Sequence, residues 1–257
     1  MGSCICEVGE DHWCVNIIPT LWRCLLTNCS VSKESPTTIA LHLDHANFPL
    51  CPQQFLYMQL NEEQGPASIN NIPPHKLPTI NALTTKRSIY HSAVSTFFAL
   101  SDLSGINGMH HEHIHAFPSW QNGPSCYDTV LVSTNQGIDG MWGLDVCHVC
   151  LFFLFTHDDV KYPCVLIDWY GHITDSPDED TGMWIVKPIP DNSAIIHLNS
   201  ILCCTHLIPV FGQNFVDCSL GLTFSDSLDA FLFYYVNKYA NHHMHKIVFL
   251  IFLIYFI

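Results

Sequence analysis

The chain has 257 residues, of which 48% are hydrophobic and 12% are charged. This length accommodates one large domain or two small ones with a substantial core. Lysine and arginine together number 9 against 23 acidic residues, which gives a net charge of −14. Phosphate contacts require clustered cations, so this charge argues against direct nucleic-acid binding.

Cysteine and histidine are abundant, whereas arginine is scarce. The chain has 13 cysteines and 17 histidines, and Arg23 and Arg87 are its arginines. The odd cysteine count and irregular spacing argue against a secreted disulfide scaffold. Residues 2–13 contain acidic side chains and lack the apolar core of a signal peptide. We therefore expect reduced thiols and an intracellular location, nuclear or cytoplasmic.

The first third of the chain has no sustained hydrophobic period. Scattered polar residues and prolines continue as far as the proline-rich stretch 72–78. This pattern predicts neither a long helix nor a regular strand. We therefore expect residues 1–80 to form a poorly ordered or peripheral segment that precedes a domain over residues 81–245.

From Arg87 onward, short runs rich in β-branched and aromatic residues alternate with turn-like separators. The predicted strands cover residues 88–91, 94–98, 129–133, 144–155, 162–170, 183–186 and 194–198. The separators are 135–140, 157–159 and 175–182. Several short strands at this spacing predict an α+β, mainly β fold, with a small antiparallel barrel or sandwich as its core.

Two apolar segments follow the predicted strands. Five residues of the first fall at helical spacing: Leu228, Phe231, Leu232, Tyr235 and Tyr239. This spacing predicts a packed helix over residues 225–239, with Ser225 as its N-cap. The second, residues 247–257, is apolar throughout, and as a helix it would span about 16 Å, roughly half of the hydrocarbon thickness. We interpret residues 246–257 as a hydrophobic tail of translated intron or out-of-frame sequence, with a membrane anchor as the alternative.

A histidine-rich run and a C-x-x-C motif are the candidate ligand sets. The run His110-His111-Glu112-His113-Ile114-His115 could supply imidazoles to Zn²⁺ or Ni²⁺. In a helix His111 and His115 would share a face, and in a strand His111, His113 and His115 would. Cys147 and Cys150 form the C-x-x-C motif, but a strand would direct them to opposite faces. A metal-binding protein that uses these side chains is therefore the alternative interpretation.

The sequence contains none of the common catalytic motifs. A P-loop, a dinucleotide-binding fingerprint, a nucleophile elbow and an H-E-x-x-H motif are all missing. Cysteine and serine nucleophile candidates have no base at a recognisable spacing. We therefore predict no enzymatic activity, no catalytic residue and no cofactor.

Short segments between residues 92 and 245 follow one another in a distinctive order. They are Ser101-Asp102-Leu103-Ser104-Gly105, Gly123-Pro124, Tyr127-Asp128, Leu151-Phe152-Phe153, Tyr162-Pro163-Cys164, Asp168-Trp169, Asp178-Glu179-Asp180-Thr181-Gly182-Met183-Trp184, Ile196-His197-Leu198, His206-Leu207-Ile208-Pro209, Ser227-Leu228-Asp229-Ala230-Phe231, Tyr235-Val236-Asn237-Lys238-Tyr239 and His242-His243. In this order they resemble the C-terminal region of Plavaka-type, CACTA-like transposases, which are abundant in basidiomycete fungi.

The resemblance implies a non-catalytic role. In that family the carboxylates that cut DNA belong to a ribonuclease-H-like domain upstream of this region. Residues 1–80 show no alternation of strands and helices with spaced acids. The resemblance therefore implies a detached tail of a transposase, with a structural or binding role and no identified partner.

The departures from the family pattern place histidine or cysteine where arginine is expected. The pattern leads us to expect arginine at eight positions: His110, His111, His113, His115, Cys126, His148, Cys150 and Cys203. Arginine codons of the CGN type become Cys or His codons by one C-to-T change on one strand or the other. We interpret the chain as a decaying element copy damaged by cytosine deamination. The histidine run is then a former basic patch formed by His110, His111, His113 and His115.

Overall fold

The structure is a computed structural model that describes residues 22–27, 32–43, 45, 48–61, 72–78, 87–98, 109–135, 138, 140–212, 221–222, 226–228, 230–240 and 242–250. Its strands are β1 (Trp22–Leu26), β2 (Ser32–Glu34), β3 (Arg87–Tyr90), β4 (Ser92–Phe98), β5 (Met109–Phe117), β6 (Cys126–Tyr127), β7 (Thr129–Ser133), β8 (Leu144–His157), β9 (Val160–His172), β10 (Ile185–His197), β11 (Ile201–Thr205), β12 (Leu207–Pro209) and β13 (Tyr234–Val236). Its α-helices are α1 (Pro36–His42), α2 (Cys51–Leu60) and α3 (His242–Leu250).

The strands form two antiparallel sheets. The smaller sheet has the order β1-β4-β5-β6, and the larger follows β11-β7-β8-β9-β10-β13-β12. In the larger sheet β3 also pairs with β8, and β2 pairs with β3. The fold is a curled antiparallel half-barrel with a small C-terminal helix, which confirms the predicted α+β, mainly β class.

The hairpin of β8 and β9 provides two of the three long neighbouring strands of the larger sheet, and β10 is the third. His157 pairs with Val160, so Asp158 and Asp159 alone form the loop. Both aspartates have positive φ, 47° and 61°, as type I′ hairpin turns require. The strands predicted at 129–133, 144–155 and 162–170 are confirmed as β7, β8 and β9.

Two of the predicted strands, 183–186 and 194–198, overlap a single strand, β10, which covers residues 185–186 of the first and 194–197 of the second. The register of β10 against β9 shifts between Pro188 and Ser193, and Asp191 has a φ of 54°. Proline cannot donate to the ladder and is tolerated at such a bulge. Pro188 and Pro190 therefore interrupt the hydrophobic pattern of the sequence without ending β10.

Part of the segment that we expected to be peripheral is built into the sheets. β1 pairs with β4 from Trp22 opposite Phe97 to Leu26 opposite Ala93. Cys24 of β1 is buried against the core. The expectation for residues 1–80 is therefore wrong for this strand, because a single short edge strand carries too little pattern to be recognised from sequence.

The two N-terminal helices cover one end of the larger sheet. Ser35 begins α1, and its hydroxyl accepts a hydrogen bond from the backbone N of Thr38 at 3.1 Å. Buried apolar residues from this region join the core cluster that contains Phe153 of β8. They are Ile39, Phe48, Phe55 and Leu56. This is a second correction to the peripheral prediction.

The predicted helix over residues 225–239 is wrong in the part that the structure describes. β13 lies in the second half of this range and pairs with β10 and β12. Tyr234 and Val236, two residues apart, are buried, whereas Leu232 and Tyr239 are exposed. Buried residues in this segment therefore recur every two residues, as in a strand, and not every 3.6 residues, as in a helix. Ser225 lies outside the described residues.

The C-terminal helix of the fold is α3, which crosses the predicted boundary between domain and tail. Met244 and Val248 are four residues apart, and both are buried in one cluster with Met141. The beginning of the apolar tail is therefore part of the core. Within the described ranges, every helix is too short or too polar to traverse a bilayer. The membrane-anchor alternative falls mainly on residues 251–257, which lie outside these ranges.

Candidate functional site

The histidine run forms an extended strand, β5, so its side chains alternate between two faces. His111, His113 and His115 share one face. The rings of His113 and His115 stack with their centroids 6.3 Å apart. His111 Nδ1 lies 2.8 Å from the Thr96 hydroxyl of β4. Of the two arrangements considered from sequence, the molecule adopts the strand.

His110 and Glu112 lie on the other face of β5. The His110 ring is 5.0 Å from the ring of His243 in α3 and 5.5 Å from that of Phe97. The Glu112 carboxylate accepts a hydrogen bond from the backbone N of Cys204 at 2.8 Å, and burial raises the pKa of Glu112. The four histidines of the predicted basic patch are therefore divided between two faces.

Cys147 and Cys150 point to opposite faces of β8. Cys147 is fully buried in the cluster with Val149 and Phe152. Cys150 packs against the separate cluster that contains Phe153. The metal alternative that paired these two thiols is corrected, because an ion could reach both only by breaking the strand.

Two other groups of potential ligands come together. The Asp128 group consists of His115, Cys126 and Asp128, and the Asp168 group consists of His148, Cys150 and Asp168. Within each group the ligand atoms lie within 4.8 Å of one another, and all three side chains are half-buried. Each group contains one residue of the predicted metal set, His115 or Cys150. His111, His113 and Cys147 belong to neither group.

In the Asp128 group one carboxylate oxygen accepts twice from the same residue. Asp128 Oδ2 lies 2.7 Å from the backbone N of His115 and 2.8 Å from its ring Nδ1. Cys126 lies on β6, and burial, with a smaller effect of the Asp128 charge, raises the pKa of its thiol. The Trp120 ring lies 5.2 Å from the His115 ring.

In the Asp168 group both carboxylate oxygens accept hydrogen bonds from different strands. Asp168 of β9 directly opposes His148 of β8. The Cys150 thiol donates to Oδ2 with an Sγ–O distance of 3.1 Å, and the Ser193 hydroxyl of β10 donates to Oδ1 at 2.5 Å. Burial raises the pKa of Cys150 well above its usual value, and the Asp168 charge adds to this effect. The thiol is therefore protonated at neutral pH.

Five of the remaining thiols in the described ranges are also protonated. Burial raises the pKa of all five above the usual range: Cys24, Cys147, Cys164, Cys203 and Cys204. The eight cysteines in the described ranges form no disulfide with one another. The thiolate is the reactive form of cysteine, so the five thiols with strongly raised pKa act as small apolar groups.

Arg87 is a buried cation at the beginning of β3. Its side chain is enclosed, and its three guanidinium nitrogens have no hydrogen-bond partner among the described residues. Glu34 opposes it in the ladder, but the Glu34 carboxylate bonds to His42 at 3.2 Å. Burial lowers the pKa of Arg87, and a smaller effect of Cys164 opposes this. Such a buried, unpaired charge destabilises the fold.

Sequence reasoning missed the two aspartates as partners of these side chains. Asp128 and Asp168 both occur in the segments that carry the family resemblance. The one available signal is the spacing of His148 and Cys150, which puts both on one face of a strand. The residue that opposes them depends on strand register, which the local sequence does not specify.

Comparisons with known proteins found no similarity. No family model matches the chain, and no curated protein or solved structure matches it either.

Proposed function

We propose that this chain is a non-catalytic domain derived from the C-terminal region of a Plavaka-type transposase, an inactive remnant of a structural or binding module. One observation carries the proposal. Four of the eight positions at which we expect arginine lie against two carboxylates. His115 and Cys126 adjoin Asp128, and His148 and Cys150 adjoin Asp168. Unrelated substitutions have no reason to gather around two acids.

Arginine at these positions would account for the placement of the acids. Asp128 and Asp168 are half-buried, and a carboxylate removed from water requires charged or hydrogen-bonding partners. The guanidinium group is a planar fork that matches a carboxylate in geometry as well as in charge. In an intact relative, each aspartate would have an arginine on either side.

The exposed histidines fit the same history. His111 and His113 lie on the exposed side of β5, where arginine would contribute to a basic surface. Such a surface attracts phosphate or an acidic partner through the permanent charge of its guanidinium groups. The loss of this charge supports an inactive remnant.

The chemistry of the thiols supports a non-catalytic role. Cys150 is hydrogen-bonded to a carboxylate, but burial keeps its proton in place. A nucleophilic cysteine requires the opposite effect, a pKa lowered by neighbouring positive charge.

Sibling copies of the element test the ancestry. We expect CGN codons at positions 115, 126, 148 and 150, with aspartate retained at positions 128 and 168. Histidine and cysteine at these positions in most siblings would contradict the proposal.

The physical part of the proposal can be tested on the protein. His115→Arg places a permanently charged guanidinium beside Asp128, and we expect it to raise the free energy of unfolding by about 1 kcal/mol at pH 8. His111→Arg is the matched control, because His111 contacts the Thr96 hydroxyl and not a carboxylate. Urea denaturation followed by circular dichroism measures both. Equal effects of the two substitutions would count against an arginine partner for Asp128.

A further inference from the structure

The Asp168 group lies between two apolar clusters on one face of the larger sheet. Val146, His148 and Cys150 share this face, because they are two residues apart on β8. Val146 belongs to the cluster around Trp184, whereas Cys150 packs against the cluster around Phe153. The polar atoms of the group are therefore partly desolvated from both sides, and they remain reachable because all three side chains are half-buried.

We propose that the Asp168 group binds a zinc ion through an imidazole nitrogen of His148, Sγ of Cys150 and Oδ2 of Asp168. Zinc takes these three ligand types, and three protein ligands leave a fourth tetrahedral position for water. The ligand atoms already lie within 4.8 Å of one another. Small side-chain rotations bring each of them to the usual bond length of about 2.0–2.3 Å from one ion.

Ser193 holds the carboxylate in the orientation that the ion requires. Its hydroxyl donates to Oδ1, whereas Oδ2 faces the Cys150 sulfur at 3.1 Å. Ligating carboxylates are commonly fixed by a hydrogen bond of this kind on the other oxygen. The ligands and Ser193 come from three adjacent strands, β8, β9 and β10. His148 and Ser193 both oppose Asp168 in the ladder, so pairing sets their spacing, whereas Cys150 lies in the register shift between Val149 and Leu151.

Binding exchanges a proton for the ion. The Cys150 thiol releases its proton to solvent, and Asp168 exchanges the hydrogen bond from that thiol for a bond to zinc. The thiolate and the carboxylate together balance the charge of Zn²⁺, so the ion and its three protein ligands carry no net charge. The site depends only on the present side chains, and it does not rest on the transposase ancestry.

The Asp128 group is less suited to the same ion. His115 donates to Asp128 Oδ2 twice, from its backbone and from its ring. Both lone pairs of that oxygen are thus in use, whereas the hydrogen bond to Asp168 Oδ2 comes from the Cys150 thiol, which gives up its proton when it binds the ion. Cys126 is therefore a suitable control thiol.

Cobalt is the probe, because Co²⁺ occupies zinc sites and shows thiolate ligation in its absorption spectrum. The full chain is stripped with a chelator, titrated with Co²⁺ and then competed with Zn²⁺. We expect a thiolate-to-cobalt absorption band that Zn²⁺ abolishes. In Cys150→Ser its intensity should fall by the contribution of one thiolate per chain. The two control variants, Cys126→Ser and Cys147→Ala, should retain the contribution of the Cys150 thiolate. A band unchanged in Cys150→Ser, or reduced equally in Cys147→Ala, would overturn the site.

Ser193→Ala tests the positioning of the carboxylate. We expect it to weaken Co²⁺ binding roughly 10- to 100-fold while the thiolate band keeps its shape at saturation. Unchanged affinity would show that Asp168 Oδ2 is not the ligand oxygen.

A further measurement needs no variant, so it is independent of whether a variant folds. Alkylation of Cys150 in the wild-type chain proceeds slowly, through the small fraction of its thiol that is deprotonated, and zinc should lower this rate by about tenfold or more because the ion binds that thiolate. Cys51, which is half-buried at the beginning of α2, is the internal reference and should react at an unchanged rate. Equal labelling of Cys150 with and without Zn²⁺ would overturn the site. The codons of sibling copies have no influence on this result, so failure of the site and failure of the proposed ancestry are distinguishable.

Discussion

Phe48→Ala tests whether the N-terminal segment is part of the core. Phe48 is fully buried, and its ring meets that of Phe153 edge to face, with centroids 5.6 Å apart. Removing a buried phenylalanine ring costs about 3–5 kcal/mol, of which the aromatic pair accounts for about 0.5–1.5 kcal/mol. For a chain of this size each kcal/mol lowers the melting temperature by about 2–4 °C. We therefore expect melting roughly 10 °C lower in the variant.

Leu50→Ala is the matched control, because Leu50 is two residues away and 48% exposed. We expect it to change the free energy of unfolding by less than about 1 kcal/mol. Urea denaturation followed by circular dichroism gives the free energies, and calorimetry gives the melting temperatures. A Phe48→Ala variant as stable as Leu50→Ala would refute the docking of this segment onto β8.

Three further predictions concern other parts of the fold. Tyr234→Ala should cost about 3 kcal/mol or more and Leu232→Ala less than about 0.5 kcal/mol; comparable costs in urea denaturation would favour the helix over β13. Arg87→Met should raise the free energy of unfolding by about 1–3 kcal/mol by removing buried donors that have no hydrogen-bond partner among the described residues, and a lower melting temperature would show that the guanidinium has a partner. Burial lowers the pKa of His197 from 6.5 to about 4, so between these pH values the unfolded chain binds a proton at this residue more readily than the folded chain does. The contribution of neutral His197 to the free energy of unfolding is therefore complete above pH 6.5 and is lost as the pH falls towards 4. His197→Asn, which keeps an acceptor for the backbone N of Asn199, should reduce the loss of stability over that range by about 2 kcal/mol, and an unchanged pH dependence in urea denaturation would contradict this.

Strands with a strong pattern were predictable from sequence. β7 has the predicted bounds, and β8 and β9 extend the predicted strands by two residues at most ends. Their β-branched and aromatic residues suit a pleated, half-buried surface wherever the strand lies. The two-residue loop at Asp158 and Asp159 is a local feature as well, because it needs only residues that tolerate positive φ.

The segment around Tyr234 shows where local pattern fails. Its apolar residues satisfy a helical period as well as a strand period, because the run is short and rich in aromatic residues. β10 and β12 provide pairing partners on both sides, and this pairing decides in favour of the strand. Neither partner is visible from within the segment.

The candidate zinc site likewise depends partly on local pattern and partly on pairing between distant strands. The sequence alone determined that His148 and Cys150 share a face of one strand and that Cys147 lies on the other, because side-chain alternation is a property of the extended backbone. Only the tertiary structure decided that Asp168 opposes His148 and that Ser193 bonds to Asp168. Register arises from contacts between residues far apart in the chain, and it is selected by burial of whole sheet faces and not by any local preference.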